Sequence, residues 1–155
     1  MRKGQAALEF LTTYGWAFLV ILVMIGALAY FGVLNPKAML PGRCTFGPEV
    51  DCLEYRITSG AANGGAVSFR FRNNVGSTAD FTFNATYLGG TNPSVACNSY
   101  SSILVGRTNE VNCTFDTGNK FPVGDKVKFE ITAAFKKADG NYWNPVKGEI
   151  YGEVQ

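Results

Sequence analysis

From Tyr14 to Leu34 the chain carries no charged residue. As a helix this stretch would be about 31 Å long, close to the hydrocarbon thickness of a bilayer; counted from Gln5 it would be about 45 Å. It is apolar on all sides, so it must be surrounded by lipid or by other helices. Gly15 and Gly26, with Ala17, Ala27 and Ala29, are small residues that let a second helix come close. Asn35 and Pro36 are expected to stop the helix. The remainder is a more polar, Gly/Asn/Thr/Ser-rich chain, and 155 residues suit one such domain on an anchor.

Arg2 and Lys3 flank this stretch on its N-terminal side. Basic residues beside an apolar span stay on the cytoplasmic side, which puts the C-terminal domain outside. The same two residues account for the formal charge of +2, since the other 12 basic residues balance 12 acids. With no basic stripe, nucleic acid is excluded as a partner. No A-x-A cleavage site ends the apolar run, which continues through Ala29–Leu34, so Sec-type removal of the segment is not expected. Cys44, Cys52, Cys97 and Cys113 fit an exported domain with disulfides. Four cysteines allow three pairings, and proximity favours Cys44–Cys52 and Cys97–Cys113. A loop as long as the second contributes roughly 3 kcal/mol in the chain-entropy picture. Zinc is not expected, because the chain has no C-x-x-C and no His.

Beyond Val50 the apolar residues alternate with period two. Leu53, Tyr55 and Ile57 share one phase; so do Val67, Phe69 and Phe71, and Phe81, Phe83, Ala85 and Tyr87. Short strands are expected around Val95–Cys97 and Ile103–Val105, and Val111, Cys113 and Phe115 mark another. The clearest strand is Lys126–Lys136, with Val127, Phe129, Ile131, Ala133 and Phe135 on one side. Asp139-Gly140 signals a hairpin into a last strand through Ile150, Tyr151 and Val154. Turns fall at Ser59–Gly65, Asn73–Gly76 and Gly89–Pro93. Seven or eight antiparallel strands argue for a β-sandwich of immunoglobulin-like type, making the chain α+β. The Pro/Gly-rich segment from Asn35 to Pro48 reads as a neck, which a Cys44–Cys52 bridge would staple to the first strand, fixing the head relative to the helix.

The chemistry on offer is sparse. Two sequons, Asn84-Ala85-Thr86 and Asn112-Cys113-Thr114, place both asparagines on the polar phase of their strands, where a glycan can sit; otherwise they are solvated strand residues. Without His there is no imidazole base or ligand. Glu49 and Asp51 read as solvated turn-forming acids, and Asp125, Asp139 and Glu149 carry no spacing signature. Tyr142 and Trp143 could form a sugar platform, but core or edge packing is the expectation. No cofactor, metal or enzymatic activity is indicated.

The leader is the most specific stretch. Lys3-Gly4-Gln5-Ala6-Ala7-Leu8-Glu9-Phe10, followed by the apolar run, resembles the class III signal peptide of type IV pilin-like proteins, and "QAALEFLTTYGWA" is similar to archaeal pilins. Archaellins share the leader type but usually lack this glutamate. The resemblance covers residues 2–34 and beyond them only the plan of helix plus β-rich head. It implies cutting by a prepilin peptidase between Gly4 and Gln5, after Arg2 and Lys3. It also implies a role in assembly for Glu9, paired with the α-amino group of a neighbouring Gln5. A carboxylate among apolar helices is costly unless paired; the alternative is that Glu9 lies among lipid headgroups and costs little. The expected organisation is therefore a leader, 1–4; a helix serving as membrane anchor and filament core, 5–35; a neck, 36–49; and a β-sandwich head, 50–155. The expected product is a subunit of a surface filament. It would be held in the cell membrane as a precursor, then polymerise through its helices with the pilus assembly machinery. The other reading is a membrane-anchored β-domain that binds a sugar or protein and never polymerises.

Overall fold

The computed structural model describes residues 3–32, 40–60, 64–89, 93–116 and 121–155; within the first helix, side chains are described from Leu8 onward, Leu11 excepted. The expectations on Arg2, on Asn35–Pro36 and on residues 90–92 lie outside them. The chain divides into two units, Met1–Leu40 and Pro41–Gln155.

Among the described residues the first unit holds one helix, α1, Lys3–Tyr30. It ends before the Asn35 boundary expected from the sequence. Gly32 takes a left-handed backbone (φ 68°), and its N–H donates to the Ala29 carbonyl at 3.1 Å. Glycine reaches that conformation without a Cβ clash, which is the usual way to close a helix C-terminus. Hydrophobicity alone does not reveal this stop, because Phe31, Val33 and Leu34 extend the apolar run past it.

The second unit is a nine-stranded antiparallel structure among the described residues: β1 Arg43–Thr45, β2 Val50–Thr58, β3 Ala66–Asn73, β4 Ala79–Tyr87, β5 Ser94–Ala96, β6 Tyr100–Ile103, β7 Thr108–Thr114, β8 Lys126–Lys137 and β9 Asn144–Glu153. One sheet runs β1-β9-β8-β4-β5, with β6 also paired to β4; the other runs β2-β3-β7. The sequence suggested seven or eight strands. The extra one is β1, inside the segment expected to be neck. Three residues show no alternation, and pairing Thr45 with Glu149 is a long-range event that local pattern cannot reveal.

The alternating positions of both sheets meet in one core. Phe69, Phe71, Phe81, Phe83, Phe115, Phe121 and Phe129 are all fully buried. Their rings pack mostly tilted or edge-on, as at Phe69–Phe83 (5.5 Å between centroids) and Phe115–Phe121 (5.4 Å). Such geometry suits the ring quadrupoles and adds about 0.5–1.5 kcal/mol per pair beyond burial. Leu53 departs from its expected phase: it is exposed, because the β2–β3 register slips between Cys52 and Glu54. That bulge absorbs one residue, so Val50 and Ile57 both face inward although they are seven positions apart in a strand of period two.

Two disulfides are present, Cys44–Cys52 and Cys97–Cys113. The first joins β1, an outer strand of the six-stranded sheet, to β2, an outer strand of the other. The second joins the residue after β5, at the opposite margin, to β7. Each bridge thus closes one open side between the two sheets. Cys44–Cys52 holds a strand of one sheet to a strand of the other, not a loose neck.

Candidate functional site

The backbone of Gly4 and Gln5, the expected cleavage pair, belongs to the first turn of α1, as does Lys3. Glu9 follows one turn later and is exposed. Thr12 Oγ1 donates to the Leu8 carbonyl (3.0 Å), and Thr13 Oγ1 donates to the Glu9 carbonyl (2.8 Å). These back-bonds satisfy both hydroxyls within the helix, so threonine is tolerated in an apolar setting. Phe10 packs against Tyr14 with ring centroids 4.3 Å apart and planes tilted by 37°. At about 100° per residue, Glu9, Thr12, Thr13 and Trp16 fall on one face, and Tyr14 falls on the other. Sequence reasoning singled out Glu9 alone. The helical spacing of 9, 12, 13 and 16 was the signal that could have found the rest.

From Leu8 to Tyr30 the helix is long and apolar enough to cross a membrane, and it exposes large side chains all round, among them Phe18, Ile21, Met24 and Leu28. An apolar surface of this extent in water would be a strong drive to aggregate. Lipid or identical helices remove the problem.

In the head, Asn84 lies exposed on β4 and Asn112 exposed on β7. Thr86 of the first sequon donates its hydroxyl to Ser94 Oγ at 3.1 Å. Asn112 Oδ1 accepts a bond from Ser68 Oγ, and its neighbour Cys113 is fully buried in the bridge to Cys97.

Register places the loops of the head at two ends. Pro41 enters beside Glu153 and the start of β8, whereas residues 74–78, 104–107 and 138–143 gather at the other end. Asn73, the buried polar side chain of the head core, ties that far end together. Its Nδ2 donates to the Ser77 and Ile103 carbonyls (2.9 and 2.8 Å), and its Oδ1 accepts from the Val75 N–H. Leu104, Val105, Tyr142 and Trp143 are all exposed there, Tyr142 by 83%. The expectation that Tyr142 and Trp143 pack in the core or at an edge is therefore corrected. They sit in the β8–β9 connection beyond the last paired residues, and Lys136 Nζ lies 5.6 Å from the Trp143 ring centroid.

The outer face of the larger sheet carries ion pairs. Glu149 binds Arg43 and, at 2.6 Å, Lys128; Glu130 binds Lys147 at 3.3 Å. The Lys128 hydrogen bond, with the charges of Arg43 and Lys128, holds the Glu149 carboxyl below its ordinary value against the partial burial that raises it. Phe46 and Leu88, with Lys128, Glu130, Lys147 and Glu149, line an open groove of about 440 Å³. Its acids and bases neutralise one another. Glu49 immediately precedes β2 and Asp51 is a paired residue within it, opposite Arg72; among the described residues no group of three His, Cys, Asp or Glu is placed to hold a metal. No protein-family model matches the chain, and a search of curated proteins finds none that matches it.

Proposed function

We propose that this chain is a structural subunit of an extracellular, type IV pilus-like filament. It is cut between Gly4 and Gln5 by a prepilin peptidase, held in the cell membrane by α1, and then moved by an assembly machine into a bundle of identical helices. The observation that carries this reading is the pairing of two incompatible surfaces in one short chain. The head has a complete core of its own, while Leu8–Tyr30 offers apolar side chains in every direction. Moving such a helix from lipid to its own copies changes its apolar surroundings little, so one segment serves both states. The leader wording around Gly4 and Glu9 favours a filament over a bare anchor.

The head is read as immunoglobulin-like. In support, β1-β9-β8-β4-β5 and β2-β3-β7 form two antiparallel sheets, and the chain crosses between them after β1, β3, β6 and β7. Glycosylation at Asn84 or Asn112 is part of the same reading, supported by sequon and exposure. The exposed Tyr142 and Trp143 favour a second reading, a membrane-anchored β-domain that binds a sugar or protein at that end without polymerising.

Sequencing the N-terminus of the mature protein and shearing filaments from producing cells tests the choice. The filament reading expects a chain beginning at Gln5 inside the sheared filaments. A chain still beginning at Met1 on cells without filaments containing it would overturn that reading.

A further inference from the structure

On the face of α1 that carries Thr12 and Thr13, two further polar groups make no hydrogen bond among the described residues. The Glu9 carboxylate and the Trp16 indole N–H have no partner among the described residues, unlike Thr12 and Thr13 beside them. Trp16 is 69% exposed. They are seven residues apart, which on an α-helix is about 20° around the axis and about 10.5 Å along it. One is an acceptor and the other a donor. Away from water, each is costly until it finds a partner.

From this complementarity we infer that α1 docks against a second copy of itself, parallel and displaced by about two turns, with the Trp16 indole N–H of one copy donating to the Glu9 carboxylate of the next. The inference rests on the filament reading and adds the register and the contact. Spacing makes the pairing open-ended. When one copy's Trp16 is used its Glu9 remains available to another, so copies arranged around a common axis continue without closing. Heterologous contacts of this kind build filaments rather than closed dimers. A carboxylate has room for about four hydrogen bonds, so the indole can share it with an α-amino group. Tyr14, on the opposite face and packed against Phe10, is not the donor in this arrangement.

A double-mutant cycle on the full-length mature chain in phosphatidylcholine vesicles tests the contact. Self-association is followed by energy transfer between dyes on the head. We expect Trp16→Phe to weaken association about tenfold when Glu9 is present and to have no effect in a Glu9→Ala chain. Resistance of all variants to alkaline extraction checks that insertion is unchanged. In a Trp143→Phe chain Trp16 is the one remaining tryptophan. Its fluorescence should then change on association, and the change should vanish with Glu9→Ala. Equal losses from Trp16→Phe in both backgrounds, or no loss in either, would overturn the contact while leaving the filament reading intact. A wild-type chain that stays monomeric at every protein-to-lipid ratio would overturn both.

Discussion

At the scale of single residues, two side chains tie the head's outer strand to its sheets and respond to pH in opposite directions. Glu149 bridges β1 and β8 through Arg43 and Lys128. Its carboxyl is held low, so its contribution is present above the unfolded value near 4.5 and is lost as the pH falls through the lower folded value. Thermal unfolding should find Glu149→Gln less stable than wild type at neutral pH, with the gap closing in acid below 4.5. A gap that persists unchanged in strong acid would show that packing, not charge, was lost. Tyr55 crosses from β2 to β9, where its hydroxyl donates to the Tyr151 carbonyl at 3.1 Å. Its ring occupies the space left by Gly42 and Gly152, since a Cβ at either would meet it. Burial raises its pKa above 10.0, so the folded head keeps the proton longer than the unfolded chain does. Stability from Tyr55 is therefore full below pH 10.0 and declines as the pH rises toward the folded value. Tyr55→Phe should cost about 1 kcal/mol at neutral pH, a fall of about 4 °C in Tm, and should lose less than wild type between neutral and strongly alkaline pH.

At the scale of elements, what could be read in the sequence follows from how local the cause is. The Lys126–Lys136 alternation is a property of neighbouring residues, and the strand is there as β8 with all five apolar positions buried. The phases of β3, β4 and β7 were legible for the same reason. Leu53 was misplaced because a bulge is set by the partner strand's register, which β2 alone does not encode. Trp143 was misplaced because its hydrophobicity says "buried", whereas its position past the end of β8 says "loop". Of the candidate site, Glu9 was legible from its leader context. Trp16 was hidden within an apolar run that gave no reason to separate one aromatic from the rest. The disulfides act at this scale too. Cys97–Cys113 holds the β5 side of one sheet to β7 of the other, a loop of 16 residues in sequence. Replacing both cysteines by alanine should cost roughly 3 kcal/mol in urea unfolding. A loss below about 1 kcal/mol would mean that the Phe core alone keeps that side shut.

At the scale of the whole molecule, the chain divides at Pro41 into two units, and the filament reading expects each to be removable without the other. The head carries its own core, both disulfides and every strand pair among the described residues, so residues 41–155 should fold alone as a soluble monomer. Its Tm should match that of the head in the full chain, because none of its core residues comes from α1. Glu9→Ala in the full chain is the complementary change. It removes one carboxylate from an otherwise uncharged span, so insertion should be unchanged or slightly easier, while filament yield should fall at least tenfold. The two results are informative together. If the isolated head polymerises, the contacts that build the filament lie on the β-sheets and α1 is only an anchor. If Glu9→Ala filaments form in normal yield, the carboxylate belongs to the headgroup layer and the helices pack by apolar contact alone. A monomeric head combined with an inserted but unassembled Glu9→Ala chain would locate assembly in the first turns of α1, where the polar groups of this apolar helix are concentrated.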